Sequence, residues 1–289
     1  MINFLTHLSL FTGIGGLDLA AEWAGFQTVG QCEWADYPTK VLEKHWPDVP
    51  RWRDVHALTG ESFHEKTGLQ TVDIISGGFP CQPFSTAGLR KGKSDERYLW
   101  PEFLRIIQEL RPNWIVGENV TGIIGMALDD ILIQLEKENY DARVFVLPAY
   151  AVGALHQRNR VAIVAHSCGN GWKDESKCRS SADAFKRGDN IQKQKIKNIR
   201  RNSRPEQLGF SKMRQAEWGN PDWLRESGIC RVVDGLPDRL DRLICLGNAV
   251  VPQQFYPIFK SIFDVENDFK KQEKRFAAHT AQLRVVDLY

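Results

Sequence analysis

The stretch from Val72 to Ser85 limits what this chain can fold into more than any other part of the sequence. Apolar residues from Val72 predict a short buried strand, two glycines end it, and Pro80 and Pro83 stiffen the loop around Cys81. A strand that ends in such a loop is how an α/β fold presents a residue at the carboxyl edge of its sheet, where these folds bind ligands. Cys81 is therefore a candidate nucleophile, although a buried free thiol is the commoner role of a cysteine.

The composition predicts a soluble globular protein with one large domain and a smaller one. The 289 residues are 42% hydrophobic and 26% charged, which is ordinary for this class of protein. The sequence contains no run of about eighteen apolar residues, so no membrane span is predicted. The N-terminus lacks the pattern of a signal peptide. The six cysteines are scattered without short paired spacings, so we expect free thiols in a reducing cytosol and no metal site.

Positive charge is concentrated in one region of the chain. The net charge is only +2, but residues 171–214 hold many more lysines and arginines than aspartates and glutamates. A basic block in a nearly neutral protein indicates a polyanionic partner, and a solvated flexible insertion is the alternative. The wider stretch 167–220 is polar and lacks periodicity, so we expect irregular structure there.

A glycine-rich turn follows the first predicted strand. Residues Leu8–Phe11 predict the strand and Leu17–Ala24 a helix, with Gly13, Gly15 and Gly16 between them. In this arrangement backbone N–H groups and a helix N-terminus can approach a nucleotide-like ligand closely. The order G-x-G-G differs from the G-x-G-x-x-G fingerprint, so the turn by itself is a weak signal.

An acidic and an aromatic residue end the second predicted strand, Thr28–Cys32. Glu33 can hold the two ribose hydroxyls of an adenosine group, and the adjacent indole of Trp34 can cover the adenine face. The alternative for Glu33 is a favourable charge at the N-terminus of a helix that begins near Tyr37. Both interpretations place a carboxylate at the carboxyl end of this strand.

A second carboxylate follows another short apolar strand, Trp114–Gly117. This strand delivers Glu118 to the carboxyl edge that also carries Cys81. A carboxylate in this place is most often a cap or a turn residue. On the same rim as a candidate nucleophile, however, it becomes a candidate acid or base.

Two arginines alternate ahead of a later predicted strand, Val161–Ala165. On an extended backbone Arg158 and Arg160 face the same way. Two guanidinium groups placed in this manner suit an oxyanion or a carboxylate, and solvent exposure at a sheet edge is the alternative. We therefore regard both arginines as candidate site residues.

Taken together, these motifs resemble the DNA (cytosine-5)-methyltransferase family, over about residues 7–166 and 235–265. The resemblance implies an α/β fold, with a Rossmann-like S-adenosylmethionine-dependent methyltransferase sheet and a small, irregular target-recognition lobe. Residues 1–167 with 236–289 would form the cofactor-binding catalytic domain, and residues 168–235 the target-recognition region. That region is short for the family.

The resemblance implies S-adenosylmethionine as the cofactor. The glycine turn looks like the family's first motif, and Glu33 with Trp34 looks like its second. Asp54 matches the aspartate that meets the adenine amino group, and Gly247–Pro252 looks like the last motif, which packs back against the first. The implied cofactor-binding residues are Phe11, Gly13, Gly15, Gly16, Glu33, Trp34, Asp54, Pro80, Leu99, Asn248 and Val250.

The resemblance also implies how cytosine would be methylated. Cys81 would attack C6 of a flipped-out base, Glu118 would neutralise charge at N3, and Arg160 would meet O2 before the methyl group moves to C5. His156 stands where the family usually has glutamine in its Gln-x-Arg-x-Arg pattern. The implied catalytic residues are Cys81, Glu118, Arg158 and Arg160.

The resemblance implies duplex DNA as the partner. It also implies a monomer without a membrane anchor, located at the nucleoid in the cytoplasm of a prokaryotic or phage-infected cell. Whether a cognate restriction endonuclease accompanies it stays open, as does the target sequence. A tRNA cytosine-5 methyltransferase and a catalytically silent DNA-binding relative are the alternatives. The residue after the nucleophile, in Pro80-Cys81-Gln82, favours DNA over tRNA.

Overall fold

A computed structural model describes residues 4–80, 98–154, 156–169 and 245–286, and it shows a mixed α/β fold. The strands are β1 (Leu5–Leu10), β2 (Phe26–Cys32), β3 (Arg51–Trp52), β4 (Ile74–Gly77), β5 (Trp114–Val120), β6 (Tyr140–Leu147) and β7 (Arg160–Ser167). The helices are α1 (Gly16–Ala24), α2 (Asp36–His45), α3 (Gly60–Thr67), α4 (Trp100–Leu110), α5 (Ile123–Met126), α6 (Leu128–Lys137) and α7 (Pro252–Val286), with short 3-10 helices at Val55–Ala57 and Ala149–Val152.

The strands form one sheet in the order β3-β2-β1-β4-β5-β7-β6. Neighbours from β3 to β5 pair in parallel, whereas β6 and β7 pair antiparallel. Parallel strands joined by helices are the mark of a doubly wound α/β sheet. The predicted Rossmann-like α/β sheet is therefore confirmed, whereas most of the predicted recognition lobe lies outside the described residues.

The chain divides into two compact units. The first contains residues 1–80, 99–118 and 249–289, and the second contains residues 81–98 and 119–248. The predicted division into residues 1–167 with 236–289, and 168–235, stays a prediction, because the described residues hardly enter the recognition region.

Helix α4 illustrates why these sequences form these elements. Pro101 lies in its first turn, where a missing N–H costs nothing. Its buried side chains repeat at helical spacing, and Arg111 ends the helix in a left-handed conformation with φ 46°. The apolar spacing over Leu99–Leu110 predicts a helix there, and the observed helix begins one residue later. The buried side chains are Trp100, Phe103, Ile106, Ile107 and Leu110.

Helix α7 covers one part of the first unit's core. The ring of Phe259 is fully buried and makes edge contacts with His7 and Phe26, at centroid distances of 5.7 and 6.0 Å. Farther along, Trp114 Nε1 donates to Glu266 Oε1 at 2.7 Å. The sequence predicts a helix that begins near Pro252 and ends at about Val265, but the helix continues to Val286, so the predicted end was wrong. Neither α7 nor any other helix in the described ranges is long and apolar enough to cross a membrane.

Two of the described cysteines, Cys32 and Cys245, are buried free thiols. Within the described ranges, no group of histidine, cysteine, aspartate and glutamate side chains is arranged to hold a metal ion.

Truncating Phe259 should destabilise the protein strongly. Phe259→Ala leaves a cavity between α7 and the sheet, and we expect a loss of about 3–5 kcal/mol in the free energy of unfolding, measured by urea denaturation followed by circular dichroism. Phe145, which is 47% exposed on β6, provides the matched control. Phe145→Ala should change the free energy by no more than about 0.5 kcal/mol. Similar losses in both variants would contradict the packing described.

Candidate active site

Near their carboxyl ends, the five parallel strands of the first unit carry five residues that lie side by side. We call these residues, Leu10, Cys32, Trp52, Gly77 and Gly117, the carboxyl-end row. Hydrogen-bonded register pairs Cys32 with Trp52 and with Leu10, Leu10 with Gly77, and Gly77 with Gly117. The backbone positions that follow the row therefore lie side by side along one edge of the sheet. In parallel α/β sheets this is the edge that binds ligands.

Four predicted site residues lie immediately beyond the carboxyl-end row. Phe11, Glu33 and Glu118 each follow their strand's row residue by one position, and Asp54 follows by two. Residues separated by more than 100 positions in the chain are thus brought to the same edge by strand register alone.

The glycine turn between β1 and α1 has an unusual backbone and little free space beneath it. Phe11, Gly13 and Gly15 all have positive φ, of 51°, 58° and 87°. A Cβ atom on Gly15 would lie 2.5 Å from the ring of Trp46, and one on Gly16 would lie 2.6 Å from the carbonyl oxygen of Val250. A Cβ on Gly13 would meet nothing within 4 Å. The turn is therefore tightly packed at Gly15 and Gly16 and open beside Gly13. Val250 of the last predicted motif lies against Gly16 of the first motif.

Glu33 is fixed in place by two backbone N–H groups. Gly13 N donates to Oε2 at 2.7 Å, and Ala35 N donates to Oε1 at 2.8 Å. Each carboxylate oxygen can accept a second hydrogen bond, so the oriented carboxylate retains capacity for two hydroxyl groups. Next to it, the side chain of Trp34 is 75% exposed, which leaves an aromatic face available to a planar ligand.

Asp54 begins the turn that follows β3. Its Oδ1 accepts the backbone N–H of His56 at 2.9 Å, which caps the 3-10 helix Val55–Ala57. Its Oδ2 has no hydrogen-bond partner among the described residues. One oxygen thus orients the side chain and the other can accept a hydrogen bond from a ligand.

Glu118 lies at the end of β5 and against the end of β4. Its side chain is buried, and a Cβ added to Gly78 would lie 2.8 Å from Glu118 Oε2. The glycine at position 78 therefore gives the carboxylate room beside the segment that leads to Cys81. Cys81 itself, with residues 82–97, lies outside the described residues. The strand is longer than predicted, so that Glu118 is part of β5 rather than of a turn after it.

Aromatic rings support the last described residues before Cys81. Phe79 is buried against Trp100 and Phe103 of α4, with ring centroids 5.3 and 5.9 Å apart. Pro80, which follows, is half-buried, and so is Leu99 at the start of α4. Buried aromatic contacts of this kind restrict the position of the backbone that they support.

The two predicted arginines belong to the second unit. Arg158 Nη2 donates to the carbonyl oxygen of Gly247 at 2.7 Å, next to Asn248 of the last predicted motif. Arg160 is the first residue of β7, and its Nη1 donates to Asn159 O at 3.1 Å. Arg158 precedes the strand and has φ 29°. The expectation that an extended backbone makes both arginines face the same way was therefore wrong.

A buried carboxylate under the glycine turn was missed in the sequence. Asp18, in the first turn of α1, accepts hydrogen bonds from Ser9 Oγ and Gln31 Nε2, both at 2.8 Å. Gln31 in turn accepts from Arg51 Nε at 2.9 Å. Burial raises the pKa of Asp18 to about 6, although its hydrogen bonds from Gln31 and Ser9 oppose the rise. The available signal was an aspartate on the apolar face of an amphipathic helix.

Comparison with known proteins identifies relatives over most of the described sequence. A sequence model for the family described as C-5 cytosine-specific DNA methylase matches residues 5–220. Type II methyltransferase M.AquIA of Picosynechococcus sp. is 35% identical over 178 residues, or 56% of this chain and 72% of that protein. Type II methyltransferase M.FnuDI of Fusobacterium nucleatum is 33% identical over 162 residues, or 54% of this chain and 45% of that protein.

The solved structures that resemble this chain include a mutant of Spodoptera frugiperda DNMT2. It has 24% identity and a TM-score of 0.48, and the match covers 58% of this chain and 52% of that one.

The chain spans about half the length of most of the curated relatives that it matches.

Stability should depend on pH through Asp18. Its pKa is raised from 3.8 to about 6 on folding, so Asp18 contributes stability that is full below about pH 4 and is lost as pH rises through 6. We expect the difference in free energy of unfolding between the natural protein and Asp18→Asn to fall by about 3 kcal/mol over this window.

Urea denaturation of both proteins between pH 4 and pH 7.5 measures that difference. His7 and His166, whose pKa values burial lowers to about 3 and about 4, make the total stability fall at acid pH. Their contribution is common to the two proteins and cancels in the difference. A difference that stays constant from pH 4 to pH 6 would contradict the assignment.

Proposed function

The chain belongs to the C-5 cytosine-specific DNA methylase family, and we propose on this premise that it transfers a methyl group from S-adenosylmethionine to C5 of cytosine in a specific duplex DNA sequence. The observation that carries the proposal is the placement of Phe11, Glu33, Asp54 and Glu118 along one edge of the sheet, immediately beyond the carboxyl-end row. The full activity, its substrate and its partners are proposals, because many relatives are much longer than the matched part of this chain.

The first unit fits the parts of S-adenosylmethionine. The oriented carboxylate of Glu33 suits the ribose hydroxyls, the exposed indole of Trp34 suits the adenine face, and Oδ2 of Asp54 suits its amino group. The open space above Gly13 leaves room for a ligand against the backbone. When bound, the cofactor supplies an electrophilic methyl group on a sulfonium.

Cys81 is proposed to activate the base. Cytosine C5 is too weak a carbon nucleophile to accept a methyl group directly, and addition of the Cys81 thiolate to C6 forms an enamine in which C5 is nucleophilic. Once C5 carries the methyl group, loss of its proton restores the C5–C6 double bond and expels the thiolate. A thiol with the ordinary pKa of about 8.5 requires a cationic neighbour or coupled proton transfer.

Glu118 and Arg160 are proposed to stabilise the charge that this addition creates. The burial of Glu118 beside the segment that leads to Cys81 supports a role at N3, where its carboxyl group would share a proton and read the adjacent amino group. Arg160 would donate to O2. Arg158 donates to the last motif at Gly247 O, which supports a role in holding this part of the second unit together.

Duplex DNA has to be opened for this chemistry. A stacked base cannot reach a thiol in a cleft, so the target nucleotide must flip out, at a cost of a few kcal/mol. We propose that the basic block at residues 171–214, within the recognition region 168–235, contacts phosphates and base edges and offsets that cost.

The biological setting is part of the proposal. M.AquIA and M.FnuDI are named Type II methyltransferases, and a similar context for this chain would pair it with a cognate restriction endonuclease. We propose that it acts as a monomer on DNA at the nucleoid, in the cytoplasm of a prokaryotic or phage-infected cell.

Covalent trapping tests the proposed chemistry. In DNA that contains 5-fluorocytosine, fluorine replaces the C5 proton that must leave, so the enzyme should remain linked to the base after methyl transfer. We expect a denaturation-resistant adduct with the natural protein and S-adenosylmethionine, none with Cys81→Ser, and an undiminished adduct with the control Cys245→Ala. No adduct with the natural protein would favour the catalytically silent DNA-binding relative.

Transfer of a labelled methyl group to duplex DNA and to tRNA distinguishes the proposed DNA methyltransferase from the remaining alternative, a tRNA cytosine-5 methyltransferase. Labelling of DNA is expected, and exclusive labelling of tRNA would reject the DNA proposal. Bisulfite sequencing of DNA from cells that express the protein would then identify the target sequence.

A further inference from the structure

The turn that carries Asp54 has little regular structure of its own. The strand before it, β3, is two residues long, and the 3-10 helix after it is three residues long. Short 3-10 segments have poor hydrogen-bond geometry. The bond from His56 N orients the Asp54 side chain within the turn, and the position of the turn as a whole is set by contacts with other elements.

Arg105 of α4 binds this turn at both of its ends. Its Nη2 donates to the carbonyl oxygens of Val55 and Leu58, both at 3.0 Å. Val55 is the first residue of the 3-10 helix, and Leu58 directly follows the last. One nitrogen atom thus fixes the whole turn relative to α4.

Two carboxylates on the same face of α4 hold the guanidinium of Arg105 in this orientation. Nε donates to Glu102 Oε2 at 2.8 Å, and Nη1 donates to Glu109 Oε1 at 2.7 Å. These residues stand three and four positions from Arg105, so all three side chains share one helix face. Because carboxylates hold Nε and Nη1, the planar guanidinium group directs its Nη2 donors toward one side only.

The two carboxylates also contact the turn themselves. Glu109 Oε2 accepts the N–H of Gly60 at 2.7 Å, and Glu102 Oε2 lies 3.3 Å from His56 Nδ1. Helix α4 therefore holds residues 55–60 at three places along its length. We call Glu102, Arg105 and Glu109 the α4 clamp.

The position of the α4 clamp points to ligand recognition rather than to stability. Its ion pairs are partly exposed, and pairs of that kind contribute little to the free energy of unfolding. The same helix begins next to Leu99, another residue implied to contact the cofactor. The clamp therefore fixes the distance between two segments that would meet the same ligand.

We propose that the α4 clamp, through Arg105 as its positioning residue, sets the selectivity of the site for the adenine amino group by holding Asp54 in place. This inference rests on the proposed function, since it takes Asp54 as the acceptor for that amino group. Arg105 contacts the backbone of Val55 and Leu58, which follow Asp54 in the chain, and acts on the ligand only through the position of Asp54.

Isothermal titration calorimetry with two ligands tests the clamp. S-adenosylhomocysteine carries the adenine amino group, and S-inosylhomocysteine carries a carbonyl oxygen in its place. The natural protein should prefer the first by about tenfold or more, the effect of one hydrogen bond to a charged acceptor. In Arg105→Met, which keeps the apolar stem, the preference should fall to about twofold or less, mainly through weaker binding of S-adenosylhomocysteine.

A double-mutant cycle shows whether Arg105 acts through Asp54. Asp54→Asn should lower the preference as Arg105→Met does, and the double variant should lower it no further. The control is Arg143→Met, which removes an exposed arginine that pairs with Asp141 on β6. This control should keep the natural preference.

Arg105→Lys gives a second test, should Arg105→Met fail to fold. Lysine keeps the charge but cannot reach two carbonyl oxygens and two carboxylates together, so the preference should again fall. Normal binding with an undiminished preference in the Arg105 variants, or equal weakening of both ligands, would overturn the clamp alone. A natural protein that binds neither ligand would overturn the proposed function and the clamp with it.

Discussion

The shared register of five parallel strands is the constraint on which the candidate site depends. Because successive side chains of a strand point to opposite faces, a slip of one residue would move Phe11, Glu33 or Glu118 away from its neighbours. β1 and β2 meet this requirement only through an irregularity between His7 and Leu8, where the pairing moves from Thr28 to Gly30. Without the extra residue in β2, Leu10 would pair with Gln31, and Glu33 would lie one position farther from the carboxyl-end row.

Buried polar groups hold this register in place. His7 Nδ1 lies 3.1 Å from Thr28 Oγ1, and Nε2 lies 2.7 Å from Ser76 Oγ, so the ring connects β2, β1 and β4. Burial lowers the pKa of His7 to about 3, which keeps the ring neutral. Asp18 ties α1 to β1 and β2 in a similar way. Any slip would leave these groups buried without partners, at a cost of about 1–3 kcal/mol for each group.

Local patterns in the sequence were sufficient to predict much of the fold. Short apolar runs that end in glycine or an acidic residue located β1, β2, β4 and β5, and the order of motifs indicated the edge that Glu33 and Glu118 share. The length of α7 was missed because its second half is rich in charged residues and shows no apolar stripe. The backbone of Arg158 was missed because nothing in its neighbours signals a positive φ.

The roles of Asp18 and Arg105 could not be predicted for a different reason. Their partners lie on other elements: Arg105 bonds to carbonyl groups about 50 residues away, and Asp18 bonds to residues on two different strands. Composition and periodicity describe one element at a time, so contacts between elements appear only once the strands are in register.

A crystal structure of the protein with S-adenosylhomocysteine tests most directly whether the edge beyond the carboxyl-end row is the cofactor site. We expect both ribose hydroxyls within hydrogen-bond distance of Glu33, and the adenine against Trp34 with its amino group at Asp54 Oδ2. Density for the ligand at another place in the protein, or a ribose without contact to Glu33, would contradict this placement.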